Sequence, residues 1–159
     1  MKKFLKLILC IVACELIGAS GAIFTAPAID GWYATIQKPS FNPPDWIFAP
    51  VWGFLFFLMG VSLYLILEKD PKDSMVKSAL LIFSGQFILN IIWSFLFFGL
   101  QRPFDALLEI TVLWFAILLT ISQFNKIDRK AGFLLVPYLL WVSFAAILNF
   151  SIWILNMKL

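Results

Sequence analysis

Apolar residues in this chain come in long unbroken blocks rather than in alternation. Five blocks of about 20 residues or more stand out, at positions 4–26, 46–67, 76–100, 104–124 and 132–157. Between them lie short polar stretches at 68–74, 101–103 and 125–130, and one longer segment at 27–45. At about 1.5 Å of rise per residue, each block crosses a hydrocarbon core about 30 Å thick. A spanning β-barrel needs at least about eight alternating strands, which these runs do not supply. The pattern predicts an all-α membrane protein, a single five-helix transmembrane domain over 1–159, with a long structured loop joining helices 1 and 2. No internal repeat is visible, which argues against the paired repeats of large secondary transporters.

The informative residues are those that lipid disfavours. In the third block Gln86, Asn90, Trp93, Ser94 and Phe97 follow helical spacing and form one inward stripe. Such a stripe serves interhelical hydrogen bonding or the wall of a ligand site, and an amide can do both. The fifth block repeats the pattern with Tyr138, Trp141, Ala145, Leu148 and Asn149, and the second places Trp52, Phe56, Met59 and Leu63 on one face. Trp141 falls too deep for the interfacial aromatic belt, whereas Trp32, Trp46 and Trp153 sit near block ends and read as belt residues. Glu15 lies midway along the first block, where an ionised side chain costs several kcal/mol unless paired, on the order of the insertion penalties for such groups. It is neutral, paired inside or functional, and the sequence names no partner. Asp105 and Glu109 suit the positive N-terminus of the fourth helix. Gly18, Ala19, Gly21 and Ala22 make a small-residue surface that lets a neighbouring helix approach.

The segment 27–45 is long for a bundle connection. Pro39, Pro43 and Pro44 stiffen it, while Trp32, Tyr33 and Phe41 give it apolar surface to bury, so it reads as a folded lid. Asp45 is placed to cap the second helix, with Pro50 tolerated in its first turns.

Composition agrees with a lipid environment: 62% of residues are apolar and 13% charged, with a mean hydropathy of +0.96. A soluble domain has about 45–50% apolar and about 25% charged residues. The net charge of +3 is too small and too dispersed for nucleic acid. The absence of histidine removes the commonest metal ligand and general base, and with them histidine-based triads and ordinary haem ligation. No metal and no cofactor is therefore expected. Cys10 and Cys14 are too few for a structural metal site and read as packing residues. A lipoprotein signal ending at Cys14 is disfavoured because the apolar run continues past it. Lys2, Lys3, Lys6, Lys69, Lys72, Lys77, Lys126, Arg129 and Lys130 fall on one side, against Lys38, Arg102 and Lys158 on the other. The positive-inside rule then places the N-terminus in the cytoplasm and the C-terminus outside.

The blocks Asp30-Gly-Trp-Tyr33, Lys38-Pro-Ser-Phe-Asn-Pro-Pro-Asp-Trp46 and Pro50-Val-Trp-Gly53 resemble the translocator protein family, also called tryptophan-rich sensory proteins or peripheral-type benzodiazepine receptors. So do Gly85-Gln86, Asn90 and Trp93, and Pro137-Tyr138, Trp141, Phe144-Ala145 and Leu148-Asn149. The likeness runs in order over nearly the whole chain. It implies a five-helix bundle, a homodimer, a bacterial cell membrane, and a pocket between helices closed by the first loop. It also implies binding of porphyrins such as protoporphyrin IX and of isoquinoline-carboxamide or benzodiazepine-type ligands. On the same resemblance Trp52 and Trp141 look like pocket tryptophans, Asn90 and Trp93 like wall residues, and Tyr33 and Pro43 like lid residues. Ala145 and Ala22 look like further pocket positions, while Phe56 and Gln86 join the expected site from the helix faces above. The family's sterol motif needs a tyrosine where this chain has Phe150, so sterol is not an expected partner.

Three functions follow as expectations. The first is a membrane receptor for a flat apolar tetrapyrrole, stacked on indoles and oriented by Gln86, Asn90 and Tyr33. The second is light- and oxygen-dependent porphyrin breakdown with Trp52 and Trp141 as catalytic residues. The third is transport of tetrapyrroles or other lipophiles, with Glu15 as its one polar handle.

Overall fold

In the computed structural model, which describes residues 2–157, the chain is helical almost throughout and has no strand among the described residues. Helix α1 runs Lys2–Ile29 and a short α2 spans Trp32–Thr35. Helix α3 (Phe48–Leu67) follows a 3₁₀ turn, and α4 (Ser74–Ser94) continues into a π-turn at Phe95–Gly99. Helix α5 is Pro103–Ile127, and the last span is made of α6 (Arg129–Leu134) and α7 (Val136–Leu155). Five helical stretches are long and apolar enough to cross a membrane. Their outer faces carry Phe4, Leu16, Ile23, Leu81, Leu108, Phe133 and Leu140, exposed as lipid-facing side chains must be.

The spans close into a ring. Helix α1 packs on α3 and α4, α5 on α4 and α7, and α6 on α3. The tightest backbone approach is where α1 crosses Gly60 of α3. A Cβ there would stand 2.5 Å from the Ile11 Cα and 3.0 Å from its nitrogen. At Gly18 a Cβ would run into the Phe56 ring. The small-residue surface of α1 thus has two uses. Gly18 and Gly21 admit neighbours, Phe56 and Ser94, while Ala19 and Ala22 remain exposed and face open space.

Two expectations about helix ends change. Pro27 does not end the first helix, which keeps its last turn through Ile29. Proline there forfeits a single backbone bond close to the helix end. Asp45 does not cap α3: it starts the 3₁₀ turn without a capping bond, and the N-cap of α3 is Ile47. Side-chain caps occur instead at the opposite end of the bundle. Asp73 accepts from the Met75 amide at 2.8 Å, and Asp128 accepts from Lys130 and Ala131 at 2.9 and 3.4 Å.

That end is also tied by ions. Lys6 lies 3.0 Å from Glu68 and also donates to the Leu67 carbonyl, linking α1 to the end of α3. Lys69 meets Asp128 at 2.8 Å. Hydrogen bonding from Lys6 holds the Glu68 carboxyl below its usual range, and Lys69 does the same for Asp128. Many of the lysines of the basic side are thereby gathered at one end, while Lys38 belongs to the loop at the other; Lys158 lies outside the described residues.

Candidate functional site

The bundle is not solid. A cavity of about 350 Å³ lies among α1, α3, α4 and α7, in the size range of small-molecule sites. Trp52 of α3 and Trp141 of α7 supply its flat walls, with Phe56, Trp93 and Phe97 beside them. Trp52 stacks on Phe56 (centroids 5.4 Å apart, planes at 23°) and meets Tyr138 edge-on at 6.2 Å. Trp141 is braced by Phe48 at 6.0 Å and Phe144 at 5.4 Å. These packed rings brace both indoles at the wall of the cavity. Ala145, one turn after Trp141, leaves room where a larger side chain would intrude. Ala19, Ala22 and Ala26 of α1 line the cavity and are also exposed, so the space opens sideways past α1 toward lipid. Gly53 of α3 also lines the cavity, and a Cβ there would meet nothing within 4 Å.

The segment 30–44 forms a folded roof. Buried Tyr33 lines the cavity and donates from its hydroxyl to Asn42 Oδ1 at 2.7 Å. Burial, reinforced by Asp45, pushes the Tyr33 phenol up to about 12, so it stays a neutral donor at any physiological pH. Lys38 places its ammonium 4.4 Å from the centre of the same ring. Trp32 packs edge-on against Phe97 at 5.6 Å. It is therefore part of the roof and not the belt residue its position suggested, whereas Trp46, 73% exposed, fits the belt. The end of α7 fastens the roof: Asn156 accepts from the Gln37 amide at 3.0 Å and donates back to the Gln37 carbonyl at 2.9 Å.

Polar groups on the wall are held by one another. Asn90 donates to the Tyr138 hydroxyl at 3.2 Å. Trp93 Nε1 donates to Asn149 Oδ1 at 3.1 Å, and Asn149 donates to the Pro103 carbonyl at 2.7 Å. The π-turn that ends α4, closed by the Leu100 amide on the Phe95 carbonyl at 2.7 Å, brings Phe97 and Phe98 to the cavity. Such turns recur at functional sites.

Of the expected site residues, Ala22, Tyr33, Trp52, Phe56, Asn90, Trp93, Trp141 and Ala145 line this one cavity. Gln86 and Pro43 do not. Gln86 shares the stripe of Asn90 but sits one turn, about 6 Å, away along the helix. It is 1% exposed, with neither amide atom hydrogen-bonded. The half-buried Glu109 likewise has both carboxylate oxygens buried without a partner, unlike Asp105, which pairs with Arg102 at 2.6 Å. Pro43 belongs to the roof but does not reach the cavity; its carbonyl accepts from the Asn42 side chain at 3.0 Å. Glu15 and Asp45, absent from the expected site, are on its wall. Among the described residues no cluster of three metal-ligating side chains occurs.

Fold and site together define a five-helix integral membrane protein with a roofed, aromatic cavity inside the bundle. The TspO/MBR family profile matches residues 10–154. The chain is 45% identical over 155 residues to the tryptophan-rich protein TspO of Chlorobaculum tepidum, covering 98% of each. It is 46% identical over 153 residues to the protein of that name from Archaeoglobus fulgidus, covering 96% of this chain and 97% of the relative. The bovine translocator protein is 36% identical over 139 residues, 86% of this chain and 81% of its own length. The chain belongs to the TspO/MBR family.

Proposed function

We propose that the protein is a membrane receptor for a planar, apolar ligand of the porphyrin class, held between Trp52 and Trp141, and that isoquinoline-carboxamide or benzodiazepine-type molecules fit the same space. The observation that carries this reading is that two braced indoles, Trp52 of α3 and Trp141 of α7, line one cavity inside the bundle. Indole faces gain from offset stacking on a flat ring system, at about 0.5–1.5 kcal/mol per aromatic pair beyond the area buried. Asn90, Tyr33 and Asn149 are placed to orient a polar edge. The small-residue gap beside α1 suits a ligand that partitions into lipid first. The N-terminus lies in the cytoplasm by charge bias, which puts the roof on the outer side of a cell membrane.

Titration of the detergent-solubilised protein with protoporphyrin IX and with its dimethyl ester tests the reading. Saturable quenching of tryptophan fluorescence by at least one of them is expected, weakened in Trp52→Phe and Trp141→Phe. Absence of saturable quenching by both, or quenching unaffected by both variants, overturns it. A second reading, light- and oxygen-driven breakdown of a bound porphyrin, draws on the contact of Trp52 with Tyr138, which gives an oxidisable pair at the wall. Product formed in light and oxygen at equal rates with wild type and the double Trp→Phe variant would remove it.

A further inference from the structure

The basic end of the bundle carries a second concave site, which shares no lining residue with the aromatic cavity. A groove opens there where the ends of α3 and α5 meet the joint between α6 and α7. Its floor is apolar. Leu65 of α3, Leu134 of α6 and Val136 of α7 are half-buried along it, and Phe133 adds a ring that is 73% exposed. Asn125 of α5 contributes an amide that lies against the backbone of Gly132. Arg129 and Lys130 also line the groove, both exposed, and no carboxylate does.

Neither cation has an acidic partner among the described residues. The carboxylates of this end are engaged elsewhere: Glu68 with Lys3 and Lys6, Asp128 with Lys69, Asp73 with the Met75 amide, and Asp70 with the Lys72 amide at 2.9 Å. Asp128 also takes the Lys130 and Ala131 amides at the start of α6. What remains for an incoming anion is therefore the pair of cationic side chains.

We propose that this groove binds an anionic phospholipid, its phosphate held by Arg129 and Lys130 and the start of an acyl chain laid over Phe133, Leu134 and Val136. The site lies at the turn between two spans, the depth at which a lipid changes from charged headgroup to hydrocarbon, and the groove changes in the same sense. A guanidinium grips phosphate through two parallel hydrogen bonds, and basic pockets between spans on the cytoplasmic side suit anionic headgroups. A free phosphate would leave the apolar floor uncovered. A zwitterionic headgroup brings its own cation toward the basic pair, which selects against it. The proposal stands apart from the reading of the aromatic cavity.

Native mass spectrometry of the full-length protein in an uncharged detergent tests it, with dioleoylphosphatidylglycerol and dioleoylphosphatidylcholine as the titrated lipids. Wild type should bind one phosphatidylglycerol more tightly than phosphatidylcholine. Arg129→Gln and Lys130→Gln should each weaken phosphatidylglycerol by about fivefold, the effect of one cation at an anionic surface, and leave phosphatidylcholine unchanged. Phe133→Ser should weaken both lipids. Lys72→Gln and Lys77→Gln, at the same end but outside the groove, should weaken neither. Equal affinity of wild type for the two lipids overturns the proposal. So does an equal loss in the Lys72 and Lys77 variants, which would mark diffuse surface charge, or binding unmoved by Phe133→Ser. Displacement of the lipid by soluble glycerophosphoglycerol at matched concentration would mark a free phosphate site and overturn it too. Should a groove variant fail to fold, the wild-type lipid preference and the soluble competitor decide.

Discussion

Substituting Gly60 by alanine asks whether the α1–α3 contact is as close as described. The new Cβ would lie 2.5 Å from the Ile11 Cα, 3.0 Å from the Ile11 nitrogen and 3.1 Å from the Cys10 carbonyl oxygen. All three are backbone atoms, so no side chain can swing aside. Helix α1 must retreat by about 1 Å to restore ordinary contacts of about 3.5–4 Å. Overpacking of this kind costs about 1–3 kcal/mol. Alanine returns at most about 1 kcal/mol in helix propensity, so the net sign is destabilising. Gly85 on α4 is the control, since a Cβ there meets nothing within 4 Å, leaving only the propensity gain. Thermal unfolding in a single detergent, followed by circular dichroism, compares the two. Gly60→Ala should lower Tm and Gly85→Ala should hold or raise it. Because α1 also carries Ala19 and Ala22 of the cavity wall, Gly60→Ala should weaken porphyrin binding as well. A Gly60→Ala protein as stable as wild type would refute the close approach.

Further tests address other parts of the account. Asp128→Ala removes both the α6 cap and the Lys69 partner and should cost about 1 kcal/mol in unfolding, the usual cost of losing a cap. Because Lys69 and Lys6 lower the carboxyl groups of Asp128 and Glu68, their contribution is present above the usual carboxylate range and lost as pH falls through the lowered values. Wild type should therefore lose stability on acidification below about pH 4, and Asp128→Ala should lose less, as pH-dependent melts will register. Gln101 adopts φ of 56°, a left-handed conformation that suits glycine. Gln101→Gly should accordingly stabilise by up to about 1 kcal/mol in the same melts. Tyr33→Phe removes the roof's bond to Asn42 and should speed ligand release in stopped-flow displacement with little change in Tm. Equal release rates would show that this bond does not hold the roof.

The five spans were legible because apolar blocks of membrane length dominate the chain, and the buried stripe from Gln86 to Phe97 because its spacing has the helical period. Eight of ten expected site residues meet in one cavity, largely because the family's motifs sit on helix faces that period also marks. What periodicity could not give is depth along an axis. Gln86 and Asn90 occupy the same stripe, yet the cavity reaches only the second. Nor could it show pairings between distant segments: the Gln37–Asn156 clasp joins residues 119 apart, and nothing local to Asn156 announces it. Trp32 looks like a belt residue until Phe97 is placed beneath it. Glu15 was visible as an anomaly, but its place on the cavity wall depends on how α1 leans on Phe56 through Gly18.

The central claim is that Trp52 and Trp141 bound a slot that a flat ligand enters. An experimental structure of the protein with protoporphyrin IX dimethyl ester tests it most directly. Macrocycle density between the two indoles, beneath Tyr33, is the predicted result; density only on the lipid-facing surface, with side chains closing the slot, would contradict it.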